Sequence, residues 1–141
     1  AKCYAAVAVD LLVDDYGSIK FIRAVIAADA GQVIDPDGLR SQLEGGLLQS
    51  ASWTLKEQVK FDEKGITSQD WESYPIMTFA DVPEIETILI DRKDSPVLGA
   101  GEATQGPTAA AISNAIFDAV GLRLRRIPFT PDMVLEAAAE A

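Results

Sequence analysis

Near the start of the chain, two alternating runs lie on either side of a short polar turn. From Tyr4 to Asp14, the residues Ala5, Val7, Val9, Leu11 and Val13 recur at period two. From Ile19 to Ala28, the residues Ile22, Ala24, Ile26 and Ala28 do the same. Successive side chains of a strand point to opposite faces, so each run predicts a strand with one apolar face. Asp14-Asp15-Tyr16-Gly17-Ser18 between them is turn chemistry. A β-hairpin therefore opens the chain, and its residues read as core rather than site.

Two helices are expected to join it. Asp35 is a good N-cap and Pro36 a good first helical residue, with helix to about Lys56. Its apolar side carries Leu39, Leu43, Leu47, Leu48, Ala51 and Leu55. Another stripe holds Gln42, Gly45, Gly46 and Gln49, at i, i+3, i+4 and i+7. Glycine inside a helix costs about 1 kcal/mol relative to alanine. Two in a row imply that something packs unusually close. A crossing helix or strand explains them slightly better than a ligand, although the glutamines could pair with a flat polar partner.

The second helix follows the loop Val97-Leu98-Gly99-Ala100-Gly101-Glu102-Ala103-Thr104-Gln105. Gly106 is an acceptable N-cap and Pro107 suits the first helical position. Helix is expected from Thr108 to Val120, with Ile112, Ile116 and Val120 on one face and Ala109, Ala115 and Ala119 beside them. Gly121 suits a C-terminal cap. Glu102 thus sits in a glycine-framed loop before a helix N-terminus, where free N–H groups can face a ligand. On spacing alone, a plain turn with a solvated glutamate is the better reading.

Elsewhere the chain is shorter-ranged. Segments 57–61 and 66–68 flank the turn Asp62-Glu63-Lys64-Gly65, which predicts a small hairpin. Residues 68–83 are mixed, with Trp71, Tyr74 and Phe79 expected as packing anchors. A strand is expected over 85–91, and Arg92–Pro96 reads as an exposed turn. Leu122–Arg126 reads as a solvated alternating edge. Thr130 and Pro131 start a short helix over 133–141. The class is α+β: hairpins and mixed strands with two longer helices and a short C-terminal one. One domain spans 1–141, with no repeat or interior linker.

Composition removes several functions. A net charge of -10 argues against nucleic acid or an anionic membrane surface as partner. No apolar run reaches the roughly 18 residues of a membrane span. There is no histidine, which excludes Ser-His-Asp triads and histidine-ligated metals within the chain. Acid–base chemistry must rest mainly on carboxylates. Cys3 is the single cysteine, so no internal disulfide can form and the redox compartment stays open. The chain begins at Ala1 and reads as a piece of something longer.

Three motifs carry a family resemblance. Gly-Ala-Gly-Glu at 99–102, followed by Ala-Thr-Gln-Gly-Pro-Thr, resembles the C-terminal signature of the molybdenum hydroxylases, the xanthine dehydrogenase and aldehyde oxidase family. Gln42-Leu43-Glu44-Gly45-Gly46 resembles that family's Gln-x-x-Gly-Gly helix, after a matching Gly31-Gln32-Val33-Ile34-Asp35-Pro36 turn. Tyr74 through Asp81-Val82-Pro83 resembles a passage that runs toward the family's active site. The likeness covers nearly the whole chain and is greatest to bacterial subunits of the isoquinoline oxidoreductase and nicotinate dehydrogenase kind.

The resemblance implies a C-terminal molybdopterin-binding domain of a larger subunit. Glu102 would be the base beside molybdenum, in hydroxylation of an electron-poor carbon with water as the oxygen source. Gln42, Gly45, Gly46, Gly101, Ala103, Thr104 and Gln105 would contact the cofactor, which bacterial members often carry as molybdopterin cytosine dinucleotide. No protein ligand to the metal is implied. Iron–sulfur clusters would lie on other domains or subunits, since no cysteine cluster exists here. The other partners implied are the remainder of the molybdenum subunit and a small-molecule substrate, a purine, N-heteroaromatic or aldehyde. A fragment or interaction domain that keeps only the fold is the competing class. Nothing here separates bacterial cytoplasm from periplasm.

Overall fold

The computed structural model describes residues 3–141, so the single-domain expectation extends two residues beyond those described. Strands β1 (Tyr4–Val13) and β2 (Ile19–Asp29) form the opening antiparallel hairpin. Its turn places Gly17 at φ 77°, and the Asp14 carboxylate accepts from the Tyr16 and Ser18 amides. Helix α1 (Pro36–Leu55) follows, capped by the Asp35 side chain, which accepts from the Asp37 and Gly38 amides. A minor antiparallel pair, β3 (Phe61–Asp62) and β4 (Gly65–Ile66), comes next. A 3₁₀ turn at Phe79–Asp81 leads into β5 (Glu84–Leu89). Helices α2 (Gln105–Val120) and α3 (Pro131–Ala139) complete the α+β architecture.

The main sheet has the order β1-β2-β5, with β5 parallel to β2. Parallel neighbours need a long crossover, and α1 with the segment after it supplies one. Helix α2 lies on β1 and α1 lies against α2 and β5. Between sheet and helices sits the core of Ala24, Ile26, Ala28, Leu43, Leu47, Ala51, Ile112 and Ile116.

Four expectations need correction. Ile22 is not on the core face: the ladder shifts between Asp10 and Leu11, pairing Asp10 with Arg23 but Leu11 with Phe21. One extra residue in a strand flips the side chains beyond it. Phe21 is therefore buried and Ile22 is exposed. Helix α2 starts earlier than Thr108, so Gly106 lies in its first turn and Thr104 occupies the N-cap. Val120 is exposed because the last turn of α2 runs past the core, whereas Thr108 is fully buried at its start. Trp71 and Phe79 also fail as packing anchors: they are 76% and 99% exposed.

No helix is long and apolar enough to cross a membrane among the described residues.

Candidate functional site

The residues after β5 carry the chain back alongside β2. The Ile90 and Leu98 amides donate to the Ala28 and Ala30 carbonyls, and Arg92 pairs with Asp29 at 3.0 Å. Gly31, at φ 75°, lets Pro96 pass so closely that a Cβ would strike its carbonyl. This return path delivers residues 99–105 to the side of α1.

There the loop winds into the helix. The Ala103 amide donates to the Ala100 carbonyl at 3.1 Å and the Gln105 amide to the Glu102 carbonyl at 3.2 Å. These bonds explain the early start of α2. They also occupy two of the amides expected to face a ligand. Glu102 itself is exposed at the crest of the turn, between half-buried Gly101 and Ala103.

The glycine stripe of α1 meets this turn. A Cβ on Gly46 would lie 2.7 Å from Thr104 Oγ1 and 3.0 Å from the Gly101 carbonyl oxygen. A Cβ on Gly101 would lie 3.0 Å from Gln42 Nε2. Gln105 Nε2 donates to Gln49 Oε1 at 2.8 Å. Thus Gln42, Gly46 and Gln49 of α1 are brought together with Gly101, Thr104 and Gln105. The expected crossing element at the glycines is this turn, but it accounts for Gly46 only. Gly45 is exposed, and nothing lies within 4 Å of a Cβ built on it.

Two buried hydroxyls tie the turn to α1, and neither anchor was read from the sequence. Thr104 is fully buried and its hydroxyl donates to the Leu43 carbonyl at 2.7 Å, so that side chain faces α1 rather than open surface. Ser50, also fully buried, donates to the Gln105 carbonyl at 2.7 Å. A serine among Leu43, Leu47 and Ala51 was the available signal, since a buried hydroxyl needs a partner. Thr54, one turn further on, is buried with no partner for its hydroxyl among the described residues.

Glu44 lies one residue before the glycines but is engaged elsewhere, accepting from the Thr87 hydroxyl of β5 at 3.1 Å. Among the described residues, no group of three or more His, Cys, Asp or Glu side chains is arranged to hold a metal ion.

Two grooves border the α1 helix. The larger, about 640 Å³, runs between the start of β2 and residues 77–83 and touches none of the expected site residues. Lys56 and Asp81 pair across it at 2.7 Å, and that bond, with help from Thr78, holds the Asp81 carboxyl below its ordinary value. The other, about 600 Å³, is lined by Gln49, Ser52, Met77, Thr78 and Phe79 among others. It joins the 74–83 passage to the glutamine stripe. At its rim the Tyr74 hydroxyl donates to Glu57, which raises the phenol above its ordinary value. Of the two, only the smaller groove reaches the stripe.

Comparison with known proteins identifies the family. Residues 1–83 match a family model described as a molybdopterin cofactor-binding domain. A nicotinate dehydrogenase chain of Pseudomonas putida is 44% identical over 135 residues, covering 95% of this chain and 11% of the relative. The beta chain of isoquinoline 1-oxidoreductase from Brevundimonas diminuta is 31% identical over 109 residues, 77% of this chain and 14% of the relative. Among solved structures, quinoline 2-oxidoreductase from Pseudomonas putida 86 superposes with a TM-score of 0.82 at 25% identity, covering 89% of this chain and 17% of that one. The aldehyde oxidoreductase from Desulfovibrio desulfuricans gives 0.77 at 31% identity, covering 86% and 14%. The chain therefore spans less than a fifth of the length of each of these relatives.

Proposed function

The chain belongs to the molybdopterin cofactor-binding family of the molybdenum hydroxylases, and from that premise we propose that it forms one wall of the cofactor site and supplies the base, Glu102. The observation that carries the reading is the contact between two motifs more than fifty residues apart. The Gln42–Gln49 stripe touches the Gly101–Gln105 turn through Gly46, Gln42 and the Gln49–Gln105 bond, and Glu102 within that turn is exposed.

The surface fits a flat, polar cofactor. Gly45 leaves a bare patch of helix between the exposed amides of Gln42 and Gln49. A side chain there would fill the space in which such a group could lie, while the amides can donate and accept at its rim. Gln42 and Gly45 would hold the cofactor from α1, and Gly101 and Gln105 from the turn. The cofactor would be the cytosine dinucleotide form, as the resemblance to bacterial members implies. When bound, molybdopterin supplies the redox chemistry of hydroxylation; the protein's task is placement and electrostatics.

Glu102 accepts the proton released as the substrate carbon is hydroxylated. A positioned carboxylate can act as a general base. The rest of the subunit, closing over the turn, would exclude water from the site. The groove between Gln49 and Phe79 would receive part of the substrate, an N-heteroaromatic or an aldehyde. Iron–sulfur clusters on another domain or subunit would carry electrons away.

The test is Glu102→Gln in the complete enzyme. Loss of turnover with retained molybdenum supports the reading, and full turnover overturns it.

A further inference from the structure

The Glu102 turn is fastened to one face of α1 at successive points. Leu43, Gly46 and Ser50 follow one another at i, i+3 and i+7, so they share that face. The Thr104 hydroxyl donates to the Leu43 carbonyl at 2.7 Å, and the Ser50 hydroxyl donates to the Gln105 carbonyl at 2.7 Å. Between these bonds, Gly46 lets the turn settle directly on the helix backbone. Thr104, Ser50 and Leu43 are each fully buried; the Thr104–Leu43 bond is buried at both ends, and the Ser50 bond ends on half-buried Gln105.

We propose that Thr104 and Ser50 are positioning residues that fix where Glu102 stands relative to the glycine stripe. The inference rests on the role of Glu102 proposed above. A buried hydroxyl bond has no water to replace it, so each bond defines a single seating of the turn. Glu102 is two residues before Thr104 and three before Gln105. Its backbone also accepts from Gln105 at 3.2 Å, so both anchors reach it through one turn of chain. The base and the cofactor-facing helix consequently move as one body. Neither anchoring side chain touches the reacting atoms.

The test uses the complete enzyme with Thr104→Val, Thr104→Ser and Ser50→Ala. Valine keeps the shape of threonine and removes the bond, whereas serine keeps the bond. Misplacing a catalytic group by about 1 Å can cost on the order of 100-fold, so Thr104→Val should lower kcat by about 10-fold to 100-fold, with KM near the wild-type value. Amide hydrogen exchange over residues 99–106 should become about 5-fold to 10-fold faster, the effect of one lost hydrogen bond. Thr104→Ser should restore both readings. If Thr104→Val does not fold, Ser50→Ala gives the same pair of readings from the other anchor. Wild-type exchange over 99–106 in the valine and alanine variants overturns the proposal, as does failure of serine to restore it. Exchange is also measured in the Glu102→Gln background. Faster exchange there supports anchoring even if Glu102→Gln retains turnover, an outcome that would count against the base alone.

Discussion

Gly45 and Gly46 are neighbours with opposite surroundings. Adding a methyl group at Gly46 would drive it into Thr104 Oγ1 and the Gly101 carbonyl, whereas a methyl at Gly45 would meet open space. Overpacking of this kind typically costs about 1–3 kcal/mol, so Gly46→Ala should destabilise the chain by that amount in chemical unfolding. Gly45→Ala should instead stabilise it by up to about 1 kcal/mol, from helix propensity. If Gly45 faces the cofactor, that gain in stability will be accompanied by a loss of molybdopterin from the complete enzyme. Equal stability changes at the two positions would contradict the geometry. The sequence made the pair of glycines conspicuous but could not tell them apart. Their difference comes from the turn about 55 residues further on, at Gly101 and Thr104, and no local pattern encodes which glycine it covers. Thr104 shows the same limit, since only the packed structure turns its hydroxyl inward.

At the level of elements, caps and periodicities were legible. Asp35 and Thr130 cap the helices expected of them, and Gly121 closes α2 in the left-handed conformation at φ 74°. These signals are local, because a cap and the amides it bonds lie within a few residues. The bulge that exposes Ile22 was not legible, since it depends on how β1 pairs with β2. Nor was the parallel pairing of β5 with β2, which joins segments 61 residues apart at Arg23 and Glu84. Residues 77–83 form a strap tied to the end of α1. Lys56 donates to Asp81, and the Met77 amide donates to Ser52 Oγ. Because its native carboxyl is held low, Asp81 contributes stability above its unfolded value of about 3.9. That contribution is lost as pH falls through the still lower native value. Both partners are about one-third exposed, so the pair is worth about 0.5–1 kcal/mol at most. The melting temperature of Asp81→Asn should lie below wild type at pH 6 and converge on it below about pH 4. A gap that widened on acidification would contradict this assignment.

On the proposed function, the whole molecule is one wall of a larger site. Its core is closed within the described residues, with Ile26, Leu43, Leu47, Ile112 and Ile116 fully buried. The chain should therefore fold when produced alone, as a cooperative melt would report. The proposed cofactor surface is open by contrast, and ligand sites normally bury most of what they bind. The isolated chain should thus hold no stoichiometric molybdenum and catalyse no hydroxylation; finding both would show that the wall suffices.

The family could be read from the ordered motifs of the sequence because each has a distinctive spacing. The ordered pair also leads to the expectation that the glutamine stripe and the Glu102 loop share one cleft, as their contact bears out; which residues touch was not legible, since it depends on β5 returning beside β2. That meeting gives Glu102 its proposed role, and paired glutamate substitutions in the complete enzyme test it. Glu102→Gln keeps shape and hydrogen bonding but cannot accept a proton, whereas Glu44→Gln alters a carboxylate bonded to Thr87 on the sheet side. A positioned base is worth about 10²–10⁴-fold, so turnover at saturating substrate should fall by at least that factor in Glu102→Gln. Molybdenum content should stay at the wild-type level, and Glu44→Gln should keep most of its activity. Near-wild-type turnover in fully molybdenum-loaded Glu102→Gln would contradict the account.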